Sequence, residues 1–346
     1  MAYTNIDNPE LYFQAKLYSG NASTNAITLD GSENMRPDWL WIKCRSHADS
    51  SQLFDVLRGT NALRSDDTHA DADASSNGFT SFDSNGFTLN GSNGGGNVNN
   101  SGRTYAAWNW NANGSGSSNS DGSITSSVSA NTTAGFSIVS WTGTAANATV
   151  GHGLGVAPKV MIVKNRIDAT NWNVFHESVG NTGSLYLNSS QVTETYQPFW
   201  NNTSPTSSVF TVGSDGATNG SSDAMIAYCF AEKKGYSKFG EYEGNANADG
   251  TFVYLGFRPA WVLIKRTNGA NQWIITDNKR DIDNPITDGQ YSDSNGSTNS
   301  GTRYDFLSNG LKMRSTYQES NQGNYIYFAF AESPFVNSKG VPTNAR

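Results

Sequence analysis

The segment Pro259-Ala260-Trp261-Val262-Leu263-Ile264-Lys265 decides the fold, because the chain writes it twice more. Its counterparts are Pro37-Asp38-Trp39-Leu40-Trp41-Ile42-Lys43 and Pro158-Lys159-Val160-Met161-Ile162-Val163-Lys164. Each begins on proline, ends on lysine and carries β-branched or aromatic residues between, the composition of a strand. Proline lacks the N–H that a central ladder needs, so it marks where each strand begins. Lys43, Lys164 and Lys265 then read as solvated ammonium groups pointing away from the sheet, with a recurrent carboxylate partner as the alternative.

Upstream of each core strand lies a short segment ending in glycine: Tyr18-Ser19-Gly20, Trp141-Thr142-Gly143 and Tyr242-Glu243-Gly244. Downstream lies an aromatic strand, running from Tyr105 to Trp110, from Met225 to Phe230 and from Ile326 to Phe330. A fixed order at a fixed spacing marks an internal repeat. The expected fold is all-β: three tandem antiparallel β-sandwich-like modules with little helix. Their expected limits are 1–112, including an N-terminal arm, then 134–235 and 236–336, with 113–133 a polar linker or long loop and 337–346 a C-terminal tail.

Within the modules, Ser84-Asn85-Gly86 and Ser308-Asn309-Gly310 sit between apolar alternations and predict tight hairpins. The second module is less regular there, with Gly213-Ser214-Asp215-Gly216. Tyr325-Ile326-Tyr327-Phe328-Ala329-Phe330 is apolar at every position, so both faces of that strand need cover, from its own sandwich or from another module or chain.

Composition fits this reading. Only 15% of residues are charged, while aromatics reach 12%, so rings build the core and polar turns join the strands. The net charge of −7 and the absence of a basic stripe argue against nucleic acid as a partner. Lys233-Lys234 and Lys279-Arg280 are short turn pairs. Cys44 and Cys229 fall in strands of different modules and read as buried free thiols. The N-terminus lacks the pattern of a secretory signal, and no apolar run has bilayer length, so neither export by that route nor membrane insertion is expected.

No catalytic constellation emerges, and no enzyme, cofactor or metal is expected. His176-Glu177-Ser178 and His69 read as loop residues without convergent partners. Asp66, Asp67, Asp71 and Asp73, like Asp281 and Asp283, read as solvated turns. Gly94-Gly95-Gly96 and Gly151-His152-Gly153-Leu154-Gly155 lack the strand-to-helix setting of a phosphate loop. The candidate contact site is Trp200 with Asn201 and Asn202, in the polar stretch Gln197-Pro198-Phe199-Trp200-Asn201-Asn202. An exposed indole beside two amides would suit a sugar face or an interface.

The repeated segments, together with Leu53-Phe54-Asp55-Val56-Leu57-Arg58-Gly59, Thr104-Tyr105-Ala106-Ala107-Trp108-Asn109-Trp110 and Asn171-Trp172-Asn173-Val174-Phe175-His176, resemble a family. It is that of marine tailed-phage tail-fibre or minor virion structural proteins. The resemblance implies a non-enzymatic virion component, assembled in the host cytoplasm, whose partners are other phage virion proteins, a further copy of the chain and a host-surface glycan. Capsid decoration or tail assembly without receptor binding is the alternative it allows, and a glycan-degrading tail protein a more distant one.

Overall fold

The computed structural model describes residues 4–71, 78–91 and 97–335; the expected tail and the Gly94-Gly95-Gly96 run lie outside the described residues. The fold is all-β: apart from a 3-10 turn at Pro9–Leu11 and one helical turn at Gly216–Asn219, the regular structure among these residues is antiparallel strand.

Each repeat builds the same four-stranded unit. In the first module the order is Phe13–Ser19, Thr104–Trp110, Trp39–Cys44, Gln52–Asp55. The second aligns Phe136–Thr142, Ala224–Phe230, Val160–Asn165 and Asn173–His176, and the third Ser237–Asn245, Gln322–Pro334, Phe257–Arg266 and Ile274–Asp277. Registers agree across copies: Trp39 faces Trp110, Val160 faces Phe230 and Trp261 faces Phe330. Pro37 and Pro158 precede their strands as expected, but Pro259 lies inside its strand, at a bulge where the missing donor breaks no regular ladder.

Strand alternation now has a physical meaning on both faces. Leu40 and Ile42, Met161 and Val163, and Val262 and Ile264 point into three separate sandwich cores. The outer layers are Asn25–Thr28 with Gly86–Leu89 and Phe79–Asp83, then Ala148–Gly151 with Val209–Val212, then Phe252–Tyr254 with Gly310–Met313 and Asn299–Leu307. The alternate residues, Trp39 and Trp41, Val160 and Ile162, Trp261 and Leu263, enter one core common to all three modules. The strand ending at Phe330 is apolar on both faces for this reason. The modules pack side by side around shared rings: Trp39 stacks on Tyr228 at 4.4 Å, Trp110 meets Trp261 edge-on at 5.5 Å, and Phe230 meets Phe330 at 5.8 Å.

The seams between modules are cyclic, the connectivity of a threefold arrangement made from one chain. Lys43 Nζ of the first module donates to Ser294 O of the third at 2.6 Å. Lys164 Nζ of the second donates to Thr68 O of the first at 3.2 Å, and Lys265 Nζ of the third to Ser190 O of the second at 3.1 Å. This corrects the expectation of solvated lysines. All three are buried and held by carbonyl oxygens, and burial pulls each ammonium down to about 8.

A second set of contacts repeats the cycle. Trp108 Nε1 donates to Asp277 Oδ2 at 2.9 Å, and Tyr228 OH donates to Asp55 Oδ2 at 2.7 Å. At the equivalent point of the third seam, Phe328 stacks on the His176 ring at 5.4 Å. His176 is therefore a buried strand residue, not the loop residue expected; its Nδ1 accepts from Ser178 N–H, and burial pushes it down to about 3.

The recurring glycine before each core strand also finds its cause. A Cβ on Gly20, Gly143 or Gly244 would lie within 2.4 Å of backbone at Asn100, Gly220 or Asn321. The chain then turns through Ala22, Ala145 and Ala246, all left-handed, and each of their N–H groups donates to the carbonyl of a buried asparagine: Asn99, Asn219 or Asn321. The Asn321 amide in turn donates to Asn247 O and Ser315 O, tying three loops together.

Residues 113–133 are not a free linker, because two short strands run through them. Ser117–Asn119 and Ser126–Asn131 form a hairpin that pairs with Phe136–Thr142, extending the second module's sheet. Ser126 and Val128 turn inward along it, which gives the serine-rich strand enough burial to join the edge.

Candidate functional site

Trp200 is fully buried, which corrects its reading as an exposed contact. Its Nε1 donates to Gly183 O at 3.1 Å, and its ring meets Phe175 edge-on in the second sandwich core. The chain turns immediately afterwards through Asn201 and Asn202, both left-handed at φ 48° and 50°, a conformation that asparagine tolerates well. Asn201 Oδ1 accepts from Gln197 Nε2 and Asn147 Nδ2, so its amide fastens the turn, while Asn202 is exposed. The structure thus separates the three: one ring in the core, two amides in a turn. All nine tryptophans are in fact buried, so no indole is presented for stacking on a sugar. Cys44 and Cys229 are buried free thiols, and burial raises both.

The described residues bring no three of His, Cys, Asp and Glu into metal-binding proximity. No helix among them is long and apolar enough to cross a membrane. Two open hollows are prominent. One, of about 620 Å³, lies where the first two modules meet and is lined by Arg36, Asp38, Asn111, Asn113 and Asn131, without an aromatic side chain.

The other, of about 340 Å³, belongs to the third module and is built differently. Asn299 to Arg303, on the strand Asn299–Leu307, supply one side; Tyr317, Gln318 and Glu319 supply the other. Buried Arg303 organises the cleft. Its guanidinium donates to Asn299 Oδ1 at 3.0 Å, to Gly301 O at 2.8 Å and to Thr287 O, and it lies 3.5 Å from Glu319 Oε2. Its Nε, also buried, has no hydrogen-bond partner in the protein. Glu319 Oε1 accepts from Tyr291 OH at 2.7 Å; burial, and then the adjacent carboxylate, raise that phenol. Asn271 Nδ2 donates to Gln318 O at 3.1 Å, closing the far wall.

Tyr317 stands at the rim with 57% of its surface exposed. Its Cε2 passes 3.8 Å from where a Cβ on Gly301 would sit, so this ring edge borders the cleft floor. The backbone carbonyl of Tyr317 accepts from Ser320 N–H and Asn321 N–H, which anchors the loop to the buried asparagine of the module. The arrangement offers an aromatic surface beside amides and a carboxylate already oriented by protein contacts. Sequence reading missed it because Tyr317 lies in a polar run, Ser315-Thr316-Tyr317-Gln318-Glu319-Ser320, and Arg303 pairs with a residue sixteen positions away. The available signal was a lone ring in a polar loop between the hairpin and the last strand.

Fold and surface together define an all-β block of three sandwiches joined by a common aromatic core. The chain belongs to the family described as Domain of unknown function (DUF7483), whose profile matches residues 8–334. That match runs through all three modules, so the fused block is the family's unit. No curated protein matches the chain, and no solved structure matches it.

Proposed function

We propose that the chain is a non-enzymatic structural component of a phage virion, a tail-fibre or surface-appendage block that meets a host-surface glycan. One observation carries the physical side of this reading: three sandwiches turn their large rings inward to one core and their polar loops outward. Such a block holds loops in fixed positions without helices or bound cofactors. The resemblance of the repeated segments to phage tail-fibre and minor virion proteins supplies the biological context. Antibody labelling of intact particles tests it: label at the tail is expected, and particles free of the protein would overturn the assignment.

A second reading, capsid decoration or tail assembly, is favoured by one feature of the third module. Phe252 and Tyr254 project from the edge strand Phe252–Tyr254, 44% and 48% exposed, and edge strands with outward rings suit contact with another protein. Regular labelling over the head would select it.

A further inference from the structure

We propose that the cleft between Arg303 and Tyr317 is a binding site for a neutral saccharide, one or two sugar units deep. This deepens the glycan-contact reading by naming a site and a ligand class. The cleft itself argues for that class. Its volume of about 340 Å³ lies at the small end of ligand pockets. Arg303 and Glu319 are its only charged lining residues and lie against each other, so the lining is neutral as a whole. An anionic ligand would compete with Glu319 for the guanidinium, and a cationic one with Arg303 for the carboxylate.

A polyhydroxy ligand needs neither displacement. Hydroxyls donate to and accept from amides and carboxylates, and the apolar face of a sugar ring suits an exposed tyrosine. The polar groups are held in place beforehand: Asn299 and Glu319 by Arg303, Asn271 through Gln318, and Ser300 through its 2.8 Å bond to Asp288. Binding therefore orders few side chains, which favours a small ligand.

The site is a specialisation of one copy. Between its outer strand and its buried asparagine, the second module runs the helical turn Gly216–Asn219. The third module places residues 314–320 there, with Tyr317 at the rim. In the first module the same stretch, residues 90–98, has no aromatic residue in its sequence, so one site per chain is expected, not three.

The test uses the purified full-length chain in saturation-transfer NMR with three neutral probes, maltotriose, lactose and chitotriose, and one acidic probe, sialyllactose. Transfer to at least one neutral probe is expected, with affinity reduced about tenfold or more in Tyr317→Ala. Gly301→Leu, which fills the floor beside the ring, should act similarly, whereas Tyr254→Ala, an exposed ring elsewhere, should leave binding unchanged. No transfer to any neutral probe, transfer to sialyllactose alone, or binding indifferent to both cleft variants would overturn the proposal. The readout needs no virion. Sugar binding with unlabelled particles would therefore sink the virion reading alone, and labelled particles without sugar binding would sink the cleft alone.

Discussion

Two seams of this molecule carry a buried ion pair, and the third, at the same backbone position, carries none. At the first seam Asp55 accepts from Tyr228 OH and holds Arg58 Nε at 2.6 Å; at the second Asp277 accepts from Trp108 Nε1 and holds Arg280 Nε at 2.6 Å. At the third His176 replaces the aspartate, Val179 the arginine, and Phe328 the ring that donates. The three changes belong together. A carboxylate stays buried only while donors surround it. Where the facing ring has no donor, a neutral imidazole stacked on it leaves no charge to satisfy. Position, register and depth are shared, yet the chemistry of each seam is set by its facing aromatic residue.

Breaking the charged seams should cost most. Asp277→Ala leaves the Arg280 guanidinium buried beside Trp108 without its carboxylate, and should lower unfolding free energy by about 3–5 kcal/mol in urea titrations. Asp55→Ala should cost less, by about 1 kcal/mol, because Asp71 still lies 3.1 Å from Arg58. Equal losses would show that Asp71 does not share the charge.

The uncharged seam should reveal itself through pH. Because burial holds His176 near 3 against an ordinary value of 6.5, the unfolded chain binds its proton first as pH falls. The contribution of neutral His176 is complete above pH 6.5 and is lost on the way down to about 3. Near pH 5 that loss should reach about 2 kcal/mol. Its signature is the difference between the parent chain and His176→Leu, in which the carboxylates titrate alike. A difference that stays constant from pH 7 to pH 4 would contradict the buried neutral imidazole.

The smallest effect should come from the donor itself. Tyr228→Phe keeps the ring against Trp39 but removes the hydroxyl that donates to Asp55 and accepts from Arg58 Nη2, and should cost about 1–2 kcal/mol. A neutral outcome would show that Arg58 and the Leu57 N–H satisfy the carboxylate without the phenol.

Much of this architecture was legible in the sequence. Repetition and composition identified the three core strands, the paired Ser-Asn-Gly turns identified two hairpins, and a strand apolar on both sides announced a second packing partner. The identity of that partner was not legible, since periodicity assigns a side chain to a face but says nothing of what covers it. Lys43, Lys164 and Lys265 were misplaced for the same reason: their carbonyl partners Ser294, Thr68 and Ser190 lie in other modules. Trp200 misled through its neighbours. A polar turn at Asn201 begins one residue after the ring, so local composition described the turn and not the indole. The cleft depends on Arg303 reaching across to Glu319 behind an exposed Tyr317, a contact without a local sequence signature.

The common core has a consequence for assembly. Three separate subunits with these seams would fall apart on dilution, because association depends on concentration. Here closure of the ring is part of folding a single polypeptide, so it persists at one molecule per compartment. A true homotrimer must also accept every substitution in triplicate. Covalent fusion removes that restraint, so the third module can carry Arg303 and Tyr317 on its outer side while all three modules hold the ring shut.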